Sequence, residues 1–379
     1  MRIATQSILP RVARPQSATA TSTTVLPPGP MPPPSAPRIS VVVLNYNGAA
    51  WLDRCLTSLG AQTMAGQIEV IVADNGSGDS SDLLATDLMR GRPDWRVLRH
   101  RQNLGYCAGN NQAAYLARGE YLLFLNTDTW LEPDCLERLV EEVQAAGAVA
   151  ATPLVMEYRD DTLQSSGERG FDLFGLPCGP AVWSGQQEIL IANGPALFVD
   201  AVWFRELGGF DPEFFMYADE YDLCWRVWLA GGRVVLAPSA RLHHRGSASV
   251  NPSGGDMMVE NRTSDTKRYY ANRNDLLVLL KNCQHLLLLL IPLQLALLAV
   301  EAMAMTLVVR RWSFLRRAYW EAIRDCWRMR GHIRAERQRV RQFRRRGDLW
   351  MLRFLQPHLN RWREFRRFRR YGVPKVDSK

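Results

Sequence analysis

Three nearly unbroken apolar runs mark the first third of the chain, and each stops in a cluster of polar residues. Ile39–Leu44 gives way to Asn45, Tyr46, Asn47 and Gly48. Ile68–Ala73 leads into Asp74, Asn75 and a Ser/Gly segment, and Tyr121–Leu125 into Asn126, Thr127 and Asp128. Strands that are apolar throughout, rather than alternating, suit a sheet covered on both faces. Helical spacing after the first two runs, over Trp51–Leu59 and Leu83–Met89, predicts the covering helices. The fold class is therefore α/β, with a Rossmann-like, mostly parallel sheet that delivers polar side chains to one edge. Ligands bind beyond the carboxyl ends of such strands. Before the third run, Asn103–Asn111 reads as a glycine-punctuated loop, followed by a short helix over Gln112–Ala117.

Further along, Gly167–Gly185 is rich in Gly, Pro and aromatics and reads as a mobile loop, with Trp183 as a candidate stacking platform for a ligand. Ile189–Val199 reads as two short strands broken at Asn193-Gly194-Pro195. Phe204–Leu207 reads as a helix stopped by Gly208 and Gly209. Asp219–Ala230 is a second helix, with Tyr221, Cys224, Trp225, Trp228 and Leu229 at helical spacing, so Trp225 and Trp228 are expected in the core. A last strand over Arg233–Leu236 leads to His243 and His244. Leu286–Val300 is apolar except for Gln294, and a second apolar run, Ala302–Val309, follows Glu301. The uninterrupted length is about 15 residues, or about 24 across Glu301, against ~20 for a membrane span. A spanning helix and a half-inserted segment bent at Pro292 both fit; a core helix fits less well.

Charge sharpens this division. The net charge of +9 is uneven: residues 310–379 hold 23 Lys/Arg against 6 Asp/Glu, a net +17, which leaves −8 for the rest. Arginines in this tail interleave with Trp and Phe, a pattern suited to an anionic membrane interface. No nucleic-acid module precedes the tail, so nucleic acid is not an expected partner. Residues 1–37 are rich in Ser, Thr, Ala and Pro and lack any acidic residue, which predicts disorder. They lack the apolar core of a secretory signal. Seven scattered cysteines have no metal-ligand spacing and point to a reducing compartment. The expected divisions are 1–37, an α/β domain over 38–275, an apolar membrane-associated segment over 276–311, and a basic aromatic tail over 312–379.

Several motifs recur in a fixed order: Val41-Val-Val-Leu-Asn-Tyr-Asn-Gly48, Val72-Ala-Asp-Asn-Gly-Ser-Gly-Asp79, Asn103-Leu-Gly-Tyr-Cys-Ala-Gly-Asn-Asn111 and Asn126-Thr-Asp128. They continue with Gly208-Gly-Phe-Asp211, Tyr217-Ala-Asp-Glu-Tyr-Asp-Leu-Cys-Trp-Arg226, Ala240-Arg-Leu-His-His-Arg-Gly-Ser247 and Tyr269-Tyr-Ala-Asn-Arg-Asn274. In this order the chain resembles the family 2 glycosyltransferases of the GT-A fold, especially bacterial rhamnosyltransferase-like members, over roughly residues 39–282.

The resemblance implies an inverting transfer from a nucleotide sugar to a lipid-linked or glycan acceptor, at the cytoplasmic face of the cell membrane. Deoxythymidine-diphosphate rhamnose is one donor it suggests, and a UDP-hexose is the alternative. A membrane scaffold with a degenerate site is the non-enzymatic rival. The resemblance also assigns roles. Asn45, Asn47, Asp74, Asn103, Gly105, Asn110 and Asn126 would hold the nucleotide, Asp74 reading the base, and Arg245 would hold the leaving diphosphate. Asp128, the one acid of an incomplete D-x-D-like motif, and His244 would hold a divalent cation, Mg²⁺ or Mn²⁺, with His243 as the register alternative. Aligning on Asp222-Leu-Cys-Trp-Arg226 puts Glu220 where the family has its catalytic base and Asp219 where it has a glutamate. The two acids are swapped relative to that pattern, so Glu220 and Asp219 are both candidates for the base. Asp222 reads as an acid complementing the helix dipole.

Overall fold

The protein is described here by a computed structural model, over residues 36–180, 187–246, 262–372 and 375–377. Strand β1 (Ile39–Asn45) lies in parallel register with β2 (Ile68–Asp74), which sets Asn45 opposite Asp74. Helices α1 (Ala49–Gly60) and α2 (Ser81–Leu88) follow these strands, and β3 (Trp95–Arg99) forms the half-buried sheet edge. Helix α3 (Gly105–Leu116) then leads to β4 (Tyr121–Asn126), which pairs in parallel on the other side of β1. The order β3-β2-β1-β4 reverses its direction of growth between β1 and β4. A reversal of this kind opens a crevice at the strand ends, and here Asn45 and Asn126 flank it.

Beyond β4 the sheet becomes mixed. The chain forms β5 (Thr129–Leu131), α4 (Cys135–Ala146), β6 (Ala150–Glu157), β7 (Leu163–Ser165), the antiparallel hairpin β8 (Glu168–Phe171) and β9 (Pro177–Pro180), and β10 (Gln187–Glu188). Strand β11 (Ala196–Asp200) sits between β4 and β6, antiparallel to both. It starts from a turn already at the ligand edge and so runs back across the sheet, which replaces the expected mostly parallel order with a mixed one. Helices α5 (Ala201–Leu207) and α6 (Asp219–Leu229) precede β12 (Val234–His244), parallel to β6. Alternate side chains of β1 enter opposite cores, Val42 one and Val41 and Val43 the other. As expected, Trp225 and Trp228 are fully buried.

Three local expectations change. Residues 168–180 are a hairpin, because Gly170 lets Phe354 approach its backbone and Asp172 closes the turn through the Phe174 and Leu176 N–H groups. Trp183 lies outside the described residues, as does the N-terminal segment through residue 35. Of the two strands expected over Ile189–Val199, the second forms, whereas the first shrinks to β10 and a bridge at Ile191.

Helix α7 (Asp265–Asn282) runs through the expected 275/276 boundary and buries Arg273, Asn274 and Lys281 alongside Leu277 and Leu279. The residues beyond it belong with the sheet to one compact unit, Pro32–Lys379. Helix α8 (Leu290–Val309) has Pro292 in its first turn, where a missing N–H is tolerated, so it continues unbroken past Glu301. With the preceding turn, His285–Val309 is long and apolar enough to cross a membrane by length and composition. Helices α9 (Trp312–Leu315), α10 (Ala322–Arg328), α11 (Arg330–Phe343), α12 (Asp348–Met351) and α13 (Asn360–Tyr371) complete the described tail. Arg361 of α13 forms an ion pair with Glu301 of α8. Trp312, Trp320, Trp327 and Trp362 are exposed. All seven cysteines are buried, and none of them is in a disulfide.

Candidate functional site

At the ends of β1 and β2, the Asn45 amide donates to Asp74 Oδ1 (2.9 Å) and to the hydroxyls of Ser77 (3.2 Å) and Ser81 (2.7 Å). Asp74 Oδ2 accepts from the Ser77 N–H at 3.1 Å. Asn47, with a positive φ of 54°, accepts from the Gly78 N–H at 2.8 Å. Asn45, Asn47 and Asp74 therefore lock two strand-end loops together. Ser77 and Asp79, which caps the Ala49 and Ser81 N–H groups, belong to the same lock but were not singled out from the sequence. Their signal was the Asn-Gly-Ser-Gly-Asp spacing itself.

The Asn103–Asn111 segment departs from the expected loop, since α3 begins at Gly105. Asn103 accepts from the Gly105 N–H (2.8 Å) and from the Asn75 amide (3.0 Å), which fixes the helix start beside β2. Asn110 is buried and donates to the Tyr106 carbonyl (3.0 Å) within its own helix. Asn126 lies across the crevice, its N–H donating to the Pro195 carbonyl at 3.0 Å.

Asp128 and His244 come together, His244 Nε2 standing 3.4 Å from Asp128 Oδ1. Gln164 explains the arrangement. Its amide nitrogen donates to Glu157 (3.1 Å) and to the His244 carbonyl (3.0 Å), so its oxygen faces His244 Nδ1 at 2.7 Å. Nδ1 therefore carries a proton, and Nε2 is the ring nitrogen that faces the carboxylate. A ring nitrogen and a carboxylate oxygen facing one point form a fitting donor pair for a divalent cation, with Gln164 as the outer partner that orients the imidazole. The Arg245 N–H donates to the Asp128 carbonyl at 3.0 Å, and its guanidinium lies 4.9 Å from the Trp51 ring centroid.

His243, the register alternative, points elsewhere because neighbouring strand residues face opposite sides. It stacks on Trp130 at 3.7 Å, and its Nε2 approaches Glu132 (3.2 Å) and Asp161 (4.0 Å). Those three residues form a second cluster that could hold a metal ion, their ligand atoms lying within 4.8 Å of one another.

Asp219 and Glu220 open α6 after two left-handed residues, Tyr217 and Ala218. Burial pushes the Asp219 carboxyl well above its ordinary range, and the neighbouring Glu220 charge adds to this. Burial also raises Glu220, but the hydrogen bond it accepts from Asp219 works the other way. In this pair Asp219 holds the proton and Glu220 is the carboxylate. Glu220 Oε1 lies over Gly194, 3.2 Å from where a β-carbon would stand. Because Asn126 is bonded to the next residue, Pro195, the turn Asn193-Gly194-Pro195 links the acid pair to the Asp128 side of the crevice. Asp222 faces inward to Arg226 (2.8 Å), Lys281 (3.1 Å) and the Asn282 amide (2.8 Å), an ion-pair role rather than the expected dipole partner alone.

Apart from this crevice, a cavity of about 490 Å³ lies between the β8–β9 hairpin and α13, lined by Arg169, Cys178, Pro180, Leu359, Trp362 and Arg366.

The family model of glycosyl transferase family 2 matches residues 40–219. Over 104 residues, 27% of this chain and 30% of the relative, the chain is 36% identical to the putative glycosyltransferase EpsH of Bacillus subtilis. Over 258 residues it is 28% identical to the N-acetylglucosaminyl-diphospho-decaprenol L-rhamnosyltransferase of Mycobacterium tuberculosis, covering 60% of this chain and 82% of that protein. It spans less than half the length of several other curated relatives it matches. The solved structure of S. aureus TarS 1-349 in complex with UDP superposes with a TM-score of 0.51 at 14% identity, covering 81% of this chain and 88% of that one. The two share a mixed α/β sheet with flanking helices, the GT-A arrangement. Residues 40–219, just under half of the chain, therefore make up a glycosyl transferase family 2 domain.

Proposed function

We propose that this protein is an inverting glycosyltransferase that moves a sugar from a nucleotide-diphosphate donor to a lipid-linked or glycan acceptor in cell-envelope glycan synthesis. The observation that carries this reading is that Glu220 Oε1 lies over Gly194, whose neighbour Pro195 accepts from the Asn126 N–H, two residues before Asp128. Asn45, Asn47, Asp74 and Asn103 organise the loops around the nucleotide, with Asn126 at the crevice. Asp128 and His244 would hold Mg²⁺ or Mn²⁺, which when bound supplies positive charge against the leaving diphosphate. Arg245 adds a fixed cation on the same side.

On the opposite face, Glu220 accepts the proton of the acceptor hydroxyl as that oxygen bonds to the anomeric carbon. The bond from that carbon to the diphosphate breaks, and the nucleoside diphosphate departs with the electron pair. Attack opposite the leaving group inverts the anomeric centre. Asp219 keeps its own proton and spares the site a second buried charge. UDP in the TarS neighbour supports a nucleotide donor, and the rhamnosyltransferase relative supports rhamnose as the sugar and a diphospholipid as acceptor carrier. A UDP-hexose is the other donor.

The apolar His285–Val309 segment, the exposed tryptophans and the +17 tail support attachment to an anionic membrane face on the cytoplasmic side. The apolar cavity beside α13 suits the carrier of a lipid-linked acceptor. A thermal-shift panel of nucleotide sugars, with and without Mg²⁺ or Mn²⁺, tests the proposal, because a ligand of the native state raises apparent stability. The expected result is a metal-dependent rise with one donor. No rise with any nucleotide sugar refutes it.

A further inference from the structure

The turn that presents the acid pair is strained. Phe215, Tyr217 and Ala218 have φ values of 63°, 69° and 57°, a region that residues with side chains avoid and that persists only where surroundings enforce it. The enforcing groups come from α7, nearly 60 residues away. The fully buried Asn274 amide nitrogen lies within hydrogen-bond reach of three carbonyls of the turn: Phe214 at 2.9 Å, Met216 at 2.8 Å and Tyr217 at 2.8 Å. The Asn274 side-chain oxygen accepts from Arg273 Nε at 2.9 Å, and Arg273 Nη2 donates to the carbonyls of Glu213 (2.5 Å) and Phe214 (3.0 Å). From the other side, the Tyr106 N–H at the start of α3 donates to the Phe215 carbonyl at 2.5 Å. Gly105 allows this approach, since a β-carbon there would stand 2.5 Å from the Phe215 ring.

We infer that Asn274 is a positioning residue for the transfer reaction: it clamps the left-handed turn so that α6 begins with Asp219 and Glu220 held against Gly194 and shielded from water. An asparagine suits the task because its amide can donate more than one hydrogen bond while its oxygen is committed to Arg273. Held in this way, the pair keeps the burial that raises Glu220 toward the working pH of a general base. Released, the turn relaxes to ordinary backbone angles, the acids turn toward solvent, and the base loses both its aim and its raised affinity for a proton. Misplacement by about 1 Å at a reacting group can cost ~10²-fold in rate.

This inference rests on the assignment of Glu220 as base, and the test separates the two ideas. Full-length Asn274→Ala is compared with the wild type in turnover against pH, with the donor identified by the thermal-shift panel. The carboxyl titration of Asp219 and Glu220 is followed separately by infrared difference spectroscopy, which needs no substrate. The expected result is a ~10²-fold fall in kcat with donor KM within about twofold, and a downward shift of both the acid limb and the carboxyl titration. Ala218→Gly, which admits positive φ without strain, should recover at least ~10-fold of the lost kcat in the Asn274→Ala background. That double variant carries the same test if Asn274→Ala alone does not fold. A fall in activity with an unmoved pH profile and no recovery overturns the clamp, because a merely structural role lowers the amount of active protein without retuning its acids. If the wild type turns over no nucleotide sugar, the functional reading fails, and the infrared titration alone decides on the clamp.

Discussion

His244 Nε2 lies 3.4 Å from Asp128 Oδ1, aimed by Gln164 on its far nitrogen. Removing the charge of Asp128 while keeping its shape, as in Asp128→Asn, should lower turnover by at least ~10²-fold, the scale of losing one electrostatic stabiliser. Gln164→Leu frees the imidazole to rotate and should weaken metal dependence by ~10-fold or more, the size of outer-partner effects. Titration of Mn²⁺ into the wild type and both variants, followed by thermal shift, checks each. Equal metal response in Asp128→Asn and the wild type would sink the assignment.

Glu220→Gln removes the proposed base and should cost ~10²–10⁴-fold in kcat with little change in donor affinity. Asp219→Asn should be milder. The pH profile distinguishes them: with Glu220 raised by burial, activity should fall on acidification at a pH above the ordinary glutamate value of about 4.3. The stability effect of Asp219 has the opposite direction. A carboxyl whose folded pKa is raised stabilises the folded state less as pH climbs from the unfolded value of about 3.9 through the folded one. Asp219→Asn should therefore raise the melting temperature at neutral pH relative to acid. Calorimetry at two pH values checks this. A catalytically dead Asp219→Asn beside a near-normal Glu220→Gln would move the base to Asp219.

Lys281 has no exposed surface and reaches both Asp211 (2.5 Å) and Asp222 (3.1 Å). Lys281→Met should destabilise by about 3 kcal/mol, the lower end for breaking a buried pair, since Arg226 and His332 still face the two acids. Denaturant unfolding measures it.

His332 of α11 bonds Asp211 at 2.8 Å, and that bond raises the His332 pKa, with Glu336 adding to the rise and Lys281 opposing it. Its stabilising effect is fully present below the unfolded value of about 6.5 and is lost as pH rises through the folded value. Melting temperature should therefore fall between mildly acidic and alkaline pH more steeply in the wild type than in His332→Gln. Parallel slopes would mean that this contact does not couple the tail to the site.

Truncation after Asn282 should yield a protein recovered mostly in the soluble fraction and still able to bind donor nucleotide. It should also be less stable, because the Leu280 and Asn282 carbonyls lose the Arg337 and Arg344 donors. Binding of the full chain to anionic liposomes should weaken as salt rises. Unchanged membrane recovery of the truncated form would refute the anchoring role.

Three neighbouring parallel strands, β2, β1 and β4, were legible because each announces itself locally, by an apolar run ending in Asn45, Asp74 or Asn126, whereas β3 and β6 were not read from the sequence. The Asp128–His244 pair was legible because each residue directly follows or ends such a strand. The start of α3 at Gly105 was hidden: glycine and asparagine disfavour helix interiors, and besides Asn103 this helix start is held by distant partners, Asn75 and the Phe215 carbonyl. The direction of β11 and the hairpin at 168–180 likewise depend on neighbours remote in sequence. The Asn274 contacts were invisible for the same reason, although Tyr269–Asn274 had stood out as a motif. Ala218 in left-handed conformation leaves no mark that composition could show.

The pairing of Glu301 with Arg361 makes α8 and α13 a single unit of excision. An engineer who deletes only the basic helix strands a carboxylate on an apolar helix, and one who deletes only the apolar helix leaves an arginine without its counter-charge. Soluble variants should therefore remove both helices together or convert both residues at once, for instance as Glu301→Gln with Arg361→Gln.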